Sequence, residues 1–522
     1  MKVGVRWEVQ PSFAEVKDAF DAGRVAPVWT ELLADGVTPL VAYATLGGGT
    51  GSFLLESVEG GETWGRYSFV GFDPRMIARI DARGLEVWSP RGGVTRAPGE
   101  PWAALRELLG NQRAADVPED FPRFWGGAVG YVSYEAVRRF EPTAIARARA
   151  RGGPPDAELA IGGTVLAFDA RRQTVRVIAP VIPEGLTSGR RGPRAAKAAY
   201  DDACKRIERA VAKLRLPARL APMLPPVRGA AGGVSAKSSF DRAGFLAAVE
   251  RAKEHIRAGD AIQVVLSQRF RSSRGRTRVL DVYRALRALN PSPYMFLVEL
   301  GERALAGASP ETMVRVDRGV VTVRPIAGTR PRGRSAEEDA RLADELLADP
   351  KERAEHVMLV DLGRNDLGRI SEVGSVRVPE RMVIERYSHV MHIVSSVTGK
   401  LAEGRDALDV LAATFPAGTL SGAPKVRAMQ IIDELEPVPR GIYGGAVGYI
   451  GFDGNMDVAI AIRTVEANAR SFEVQAGAGI VEASDPETEH QETLHKARAP
   501  LEAIAHANIA SRPRRKPKAA TR

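Results

Sequence analysis

The sequence predicts a mixed α and β protein, and two observations carry that reading. Apolar residues recur at the helical period in some stretches and alternate with polar ones in others. Several alternating stretches are also dense in glycine, which lets a second backbone or a ligand approach a strand closely. In chain order, residues 164–178 alternate like a strand. Residues 195–214 read as a helix, with Cys204 a small residue within it. Phe245, Ala248, Val249, Ala252 and Ile256 keep helical spacing, and Gly259-Asp260 ends that helix. Residues 261–270 read as a strand, with Gln263, Val265 and Ser267 on one face and Ile262, Val264 and Leu266 on the other. Ser335 with Glu338 is a capping-box signature for a helix through Leu347. Asp349-Pro350 breaks it, and a second helix runs from about Lys351 to Leu362. After the run from Phe415 to Lys425, Ser421 or Gly422 is placed to cap a helix with Pro424 in its first turn and Val426, Met429 and Ile432 buried. The hexapeptide Gly126–Tyr131 recurs at Gly444–Tyr449, which predicts two similar strands in packed sheets.

Composition excludes whole classes. The 522 residues are 44% hydrophobic and 26% charged, an ordinary globular balance that rules out a collagen or a mostly disordered chain. One cysteine, Cys204, permits no intrachain disulfide, no four-thiolate zinc site and no internal redox pair. No apolar run approaches the ~20 residues that span a bilayer, and the first residues lack the apolar core of a secretory signal. A cytoplasmic protein with no membrane partner is expected. The 74 Lys and Arg against 64 Asp and Glu give +10. Six of those cations lie in the terminus at Arg512, Arg514, Arg515, Lys516, Lys518 and Arg522. That terminus reads as a solvated tail. With no recognisable binding motif, no specific nucleic acid is expected. Residues 141–158 and 183–235 are rich in Pro, Gly and Arg and read as connectors. The expected organisation is an N-terminal region over 1–235, a second region over 236–508 and a basic tail over 509–522.

Four constellations and a pair of histidines carry chemistry. Glu352 and Glu355 lie three residues apart, on one helix face, where like charges repel unless water, a cation or a proton intervenes. A solvated helix is the alternative, and the adjoining His356 does not complete a zinc-protease motif. Glu487, Glu489 and Glu492 follow the glycine-dense segment 474–481, whose bare amides can meet a ligand anion. Carboxylates from two elements suit a hard cation, best Mg²⁺; an acidic helix start after a tight turn is the other reading. The run from Phe415 to Lys425 resembles a phosphate loop only loosely, because the GxxxxGK[ST] spacing is missing. Arg324, Arg330 and Arg332 flank Gly328-Thr329 in a basic loop, either a carboxylate holder or a surface turn. His389 and His392 lie in a strand-like stretch, either as core residues or as a general base.

Together these segments resemble the chorismate-utilising enzymes, and within them the anthranilate-forming branch. The matching phrases are SPYMF at 292–296, SPE at 309–311, PIAGTRPRG at 325–333, KERAEHVMLVDLGRNDLGRI at 351–370, VMHIVS at 390–395, FPAGTLSGAPK at 415–425, YGGAVGY at 443–449, AIAIRT at 459–464 and GAGIV at 477–481. They cover 240–505 almost continuously; the N-terminal half matches chiefly through Leu54–Ser57 and the first hexapeptide. The resemblance implies an α+β fold of two packed, mainly antiparallel β-sheets flanked by helices. It implies that Glu355 and Glu492 ligate Mg²⁺, with Glu352 and Glu489 acting on the ion through water or hydrogen bonds. It matches Gly328, Thr329, Tyr443, Arg463, Gly477, Ala478, Gly479 and Lys496 to the chorismate pocket, with Thr419 beside it.

The implied reaction is a carbon–oxygen lyase step. Chorismate and ammonia give anthranilate and pyruvate through an aminodeoxyisochorismate intermediate, the first step of tryptophan biosynthesis. Glu311 is matched to the acid that protonates the departing hydroxyl. His392 is matched to proton transfer in the second step, and Gln263 to ammonia delivery. Ala327 stands where the aminodeoxychorismate-forming branch, the alternative reading, usually has a lysine. Gln263 lies near the position of the water-activating lysine of the isochorismate and salicylate makers. The resemblance further implies a separate glutamine amidotransferase small subunit, since Cys204 lies in an ordinary helix. It also implies feedback inhibition by tryptophan through Glu56, Ser57, Pro293, Tyr294 and Met295.

Overall fold

The computed structural model describes residues 8–57, 65–90, 93–110, 113–145, 153–183, 193–217, 220–226, 229, 234–387 and 390–510. Among these, the strands form two sheets of twelve strands each, and the strand pairs are antiparallel. The first sheet runs from Ala26–Leu33 at one edge, through Ser52–Glu56, Tyr294–Leu300, Arg303–Ser309, Thr464–Ala467 and Ser471–Ile480, to Gln263–Ser273 and Lys237–Ser238 at the other. The second runs from Ile326–Pro331 and Val390–Lys400, through Thr312–Asp317, Met456–Ile460, Ala446–Gly451 and Gly127–Val132, to Gly93–Ala97. This is the two-sheet α+β fold that the resemblance implies. No helix of the described residues is long and apolar enough to cross a membrane.

The strand period of two splits the core into layers. Phe53, Phe69, Phe296 and Leu305 of the first sheet share one cluster with Ala128, Val447, Tyr449 and Met456 of the second. Phe69 meets Tyr449 edge-on at 5.9 Å, and Phe124 lies 4.4 Å from the same ring. Next along the strands, Leu54, Val70, Leu297 and Val474 face away from the second sheet. They are covered by Phe20, Ile207, Leu286 and Ile504 of the helices Phe13–Asp21, Pro193–Leu214, Val279–Leu289 and Pro486–Ala510. Fully burying such side chains stabilises by about 1.5–3 kcal/mol each.

The expected helices stand at Pro193–Leu214, Arg242–Arg257, Ala336–Ala348 and Pro350–Gly368. Ser335 caps the third by accepting from the Glu338 amide at 3.2 Å. The fourth continues six residues past Leu362, because its last turns bury Gly363, Asp366 and Leu367. Other expectations are corrected. Residues 164–178 fold as two strands, Thr164–Asp169 and Thr174–Val181, paired as a hairpin. The Asp169 carboxylate turns the chain by accepting from the amides of Arg171 (3.0 Å) and Arg172 (3.1 Å). The repeated hexapeptides lie side by side in one sheet, not in packed sheets, with Gly130 opposite Gly448. Lys425–Leu435 takes Pro424 as its N-cap; Ser421 instead ends a one-turn helix, Gly418–Ser421, and Gly422–Ala423 adds to the edge of Gln263–Ser273. Ile262 precedes its strand and is 63% exposed, whereas Val264 and Leu266 are buried.

Both sheets mix strands from before and after residue 235: Ser52–Glu56 pairs with Tyr294–Leu300, and Gly127–Val132 with Ala446–Gly451. The helix Pro486–Ala510 enters the expected tail, whose remainder, 511–522, lies outside the described residues, as do His389 and, within the connectors, 146–152 and 184–192.

Candidate active site

The helix Pro350–Gly368 presents the first carboxylates. Asp349 caps it, accepting from the amides of Lys351 (3.0 Å) and Glu352 (3.3 Å), and the helix packs on Ile326–Pro331 and Val390–Lys400. Gly328 has φ +68°, and a Cβ there would lie 3.1 Å from Glu352 Oε2 and 2.9 Å from Leu346 Cδ1. Glycine therefore lets the Gly328-Thr329 backbone lie against Glu352. Glu352 also pairs with Arg330 at 3.6 Å.

Glu355 and the acidic start of Pro486–Ala510 act on each other. Burial pushes the Glu355 carboxyl above its ordinary value; the charges of Glu352 and Glu492 push it further, against a hydrogen bond from Gln263. Burial likewise raises Glu489, with Glu492 adding to the shift against a bond to Ser484. Glu492 pairs with Lys496 at 2.5 Å, both about two-fifths exposed (43% and 36%) and so reachable from solvent. No group of three or more His, Cys, Asp or Glu among the described residues is gathered to hold a metal. Two mutually repelling carboxylates nevertheless match the protein share of a Mg²⁺ site, which leaves its other positions to water and substrate.

Beside them lie two close-packed glycines of the strand Ser471–Ile480. A Cβ on Gly477 would sit 2.7 Å from the Tyr443 hydroxyl and 2.7 Å from the Leu266 carbonyl. One on Gly479 would sit 2.5 Å from Gln263 Nε2. Gln263 Oε1 is buried without a hydrogen-bond partner, an acceptor that a ligand N–H would satisfy. Lys496 Nζ donates to the Gly477 carbonyl at 3.0 Å. Arg463 adopts φ +50°. Burial lowers its pKa, opposed by Tyr443 and Glu492. The cluster thus gathers Gln263, Tyr443, Gly477, Gly479 and Lys496, with Arg463 and Glu492 in electrostatic reach; Ala478, fully buried on the opposite strand face, packs with Val264 and Leu266 instead.

Glu311 stands between Arg303–Ser309 and Thr312–Asp317, fixed by its carbonyl, which accepts from the Ile460 amide at 3.0 Å. Thr419 donates to its Oε1 at 2.9 Å. Although the residue keeps some exposed surface, its carboxyl is desolvated, and its pKa is pushed up to about 7 against Thr419 and Lys496. His392 Nδ1 lies 2.9 Å from the Gly328 carbonyl and 3.1 Å from Thr329 Oγ1. A carbonyl only accepts, so Nδ1 carries the hydrogen and Nε2 the free lone pair. Burial lowers the His392 pKa, and Arg463 lowers it further against the Gly328 bond, so the ring is neutral at pH 7.

Glu56, Ser57, Pro293, Tyr294 and Met295 line a separate cavity of about 1110 Å³ between the sheets. The Glu56 carboxylate already accepts from the Tyr283 hydroxyl (2.6 Å) and pairs with Arg287 (3.2 Å). The Tyr294 hydroxyl bonds Asp457 (2.8 Å) and Thr312 (2.9 Å), the residue after Glu311.

Sequence reasoning missed two buried ion pairs beside the site. Arg440 is 2% exposed, pairs with Glu436 at 2.7 Å and lies over the rings of Tyr134 (4.6 Å) and Tyr443 (5.5 Å). Its Glu-x₃-Arg spacing looks like any solvated helical pair. Lys425 pairs with Asp366 at 2.9 Å; both residues stand in quoted phrases, but nothing local marks them as partners.

A family model described as chorismate binding enzyme matches residues 54–502. The anthranilate synthase component 1 of Pseudomonas putida is 46% identical over 495 residues, covering 93% of this chain and 96% of the relative. That of Streptomyces coelicolor is 48% identical over 497 residues, covering 93% and 90%. Among solved structures, anthranilate synthase component I from Streptococcus pneumoniae superposes with a TM-score of 0.72 at 36% identity, covering 90% of this chain and 99% of that one. The menaquinone-specific isochorismate synthase of Escherichia coli superposes at 0.67 with 18% identity, covering 94% and 98%, and speaks for the fold alone.

Proposed function

Because this chain belongs to the family of chorismate binding enzymes, we propose that it is the chorismate-converting component of an anthranilate synthase. It turns chorismate and ammonia into anthranilate and pyruvate. The observation that carries this is the pairing of a proton-holding acid with an unpartnered ammonia acceptor. Glu311, with its pKa pushed up to about 7, keeps a proton to give; Gln263 Oε1 offers a buried acceptor.

Chorismate is a dianion, so its carboxylates require cationic partners and exposed amides. Arg463, Lys496 and the Gly328-Thr329 and Gly477–Gly479 backbones supply them. Gln263 orients ammonia toward ring carbon 2 by accepting one of its N–H bonds. Glu311 protonates the hydroxyl leaving carbon 4, which otherwise departs poorly as hydroxide. The bound dianion pushes the Glu311 pKa higher still. Neutral His392 then moves a proton through Nε2 as the aminodeoxyisochorismate intermediate loses pyruvate and aromatises. Glu355 and Glu492 would hold Mg²⁺, with Glu352 and Glu489 steadying its water shell. The ion, when bound, orients a substrate carboxylate and offsets charge developing beside it.

The alternative product, aminodeoxychorismate, is disfavoured by Ala327, which has no amine for a covalent route. Ammonia would come from glutamine through a separate amidotransferase subunit, and tryptophan would inhibit by occupying the inter-sheet cavity. The cytoplasm is the proposed location. The test is to incubate the purified chain with chorismate, Mg²⁺ and excess ammonium from neutral to mildly alkaline pH and follow anthranilate fluorescence. Accumulating aminodeoxychorismate instead would overturn the assignment. His392→Met is expected to accept ammonia and stall before pyruvate loss; unchanged anthranilate output from it would remove His392 from the second step.

A further inference from the structure

The segment 415–424 carries Thr419, whose hydroxyl donates to Glu311, and one ammonium group fixes both ends of that segment. Lys425, the first residue of Lys425–Leu435, directs Nζ at both oxygens of Asp366 (3.1 and 2.9 Å). The same Nζ reaches, at 3.5 Å, the carbonyl of Thr414, the last residue of Ala407–Thr414. The two charged side chains are only 13% and 10% exposed, so salt and water screen the pair weakly. Asp366 belongs to Pro350–Gly368, the helix that carries Glu355. Positions 355, 359, 362 and 366 are spaced four, three and four apart and share one face. Leu362, on that face, touches the segment directly: a Cβ on Gly418 would fall 1.8 Å from Leu362 Cδ2. Helix and segment therefore meet one residue before Thr419, with no room for another carbon between them.

We propose that Lys425 and Asp366 are positioning residues: their ion pair clasps the 415–424 segment to the Glu355 helix and so holds Thr419 against Glu311. The catalytic part of this inference rests on the proposed reaction; the mechanical part does not. A clasp on the face that presents Glu355 sets the acid and the metal-holding carboxylate in one frame. Removing one partner of a buried pair leaves the other charge uncompensated and frees the segment to shift.

The test compares Lys425→Met, Asp366→Asn and Lys425→Arg in the full chain with Thr419→Val as the benchmark. Misplacement of a catalytic group by ~1 Å costs on the order of 100-fold. Lys425→Met and Asp366→Asn are therefore expected to lower kcat at least ~10-fold while KM for chorismate stays within ~3-fold. Thr419 and Lys496 both hold the Glu311 pKa down. Loss of the Thr419 bond therefore moves the alkaline limb of the rate profile to higher pH, as in Thr419→Val. Lys425→Arg, which keeps the charge, should recover part of kcat. Hydrogen exchange at amides 417–422 should speed up at least ~10-fold in the clasp variants, with the 127–132 strand unchanged. An unmoved pH limb, or a raised KM with unchanged kcat, would overturn the catalytic part; unchanged exchange would overturn the clasp. If Lys425→Met does not fold, Asp366→Asn gives the same readings. If the wild type makes no anthranilate, the proposed function fails while the exchange experiment still decides the clasp.

Discussion

Glu311 shows how a position acquires its chemistry from its surroundings. An ordinary glutamate is ionised at neutral pH and has no proton to give; desolvation lifts this one to about 7. The folded-state pKa lies above the unfolded value of about 4.3. The group's contribution to stability is therefore complete below that value and is lost as pH rises through about 7. In the acid role proposed for Glu311, activity follows the same direction, because only the protonated form has a proton to give. In the proposed reaction, kcat/KM for chorismate should fall above pH ~7, and the limb of kcat should lie higher, since bound substrate adds negative charge. Glu311→Gln should lower kcat by about 10²–10⁴ and abolish that limb; a surviving limb near 7 would assign it to another group. Gly477 and Gly479 offer a second contrast. The Cβ of Gly479→Ala would strike the movable end of Gln263, and that of Gly477→Ala the Leu266 backbone and the Tyr443 hydroxyl. Gly479→Ala should therefore raise the ammonia KM with little change in melting temperature. Gly477→Ala should also cost about 1–3 kcal/mol of stability by overpacking. Equal melting temperatures for the two would refute the distinction. The acid role matched to Glu311 already required a proton held near neutral pH, expected from burial beside other carboxylates; desolvation alone supplies the shift, with no carboxylate among its causes.

At the scale of elements, legibility followed the strength of the local signal. The helices Arg242–Arg257 and Ala336–Ala348 are amphipathic, so their period was readable; the Ser335 cap also marked the start of the second, whereas the Asp241 cap of the first went unread. The hairpin within 164–178 was not. Its turn contains no Gly or Pro and depends on the Asp169 carboxylate bonding two amides, with Gln173 at φ +55°, a device that leaves the alternation of the flanking strands unbroken. The helix Pro350–Gly368 ties such local devices to function, because its cap Asp349 sits three residues before Glu352 and also pairs with Arg330 at 3.0 Å. Those bonds hold the Asp349 carboxyl below the usual carboxylate range, so the cap weakens as pH falls. Glu355→Ala and Glu492→Ala should each abolish Mg²⁺-dependent turnover. Asp349→Ala should leave both carboxylates in place but fray the turn that aims them, raising the Mg²⁺ concentration for half-maximal activity about 10-fold. Near-normal rates in either Glu variant would refute the metal assignment, and an unchanged Mg²⁺ requirement in Asp349→Ala the role of the cap.

The arrangement of the whole molecule lay furthest from what spacing can show. The repeated hexapeptides announced two similar strands, but identity between segments does not say whether they pair or stack; here Gly130 and Gly448 face each other across one ladder. That pairing puts Tyr449 between the sheets and helps enclose the inter-sheet cavity. The cavity and the candidate active site share a wall. Tyr294 lines the cavity, and its hydroxyl bonds Thr312, next in the chain to Glu311, and Asp457 on the strand whose Ile460 amide bonds the Glu311 carbonyl. A ligand that displaces Tyr294 must break bonds one residue from Glu311, which is a physical route from occupancy to rate in the proposed reaction. Coupling of this kind typically amounts to 5–150-fold. Tyr294→Phe keeps the ring and removes only the two hydroxyl bonds. Under the proposed inhibition by tryptophan, the variant should itself lower uninhibited kcat, and the fold-inhibition that tryptophan adds should shrink at least ~5-fold. Tryptophan should still raise the melting temperature of the variant, because the cavity and its packing remain. Inhibition that is unchanged in Tyr294→Phe would place the coupling elsewhere, and a lost thermal shift would mean that the hydroxyl serves binding itself and not transmission.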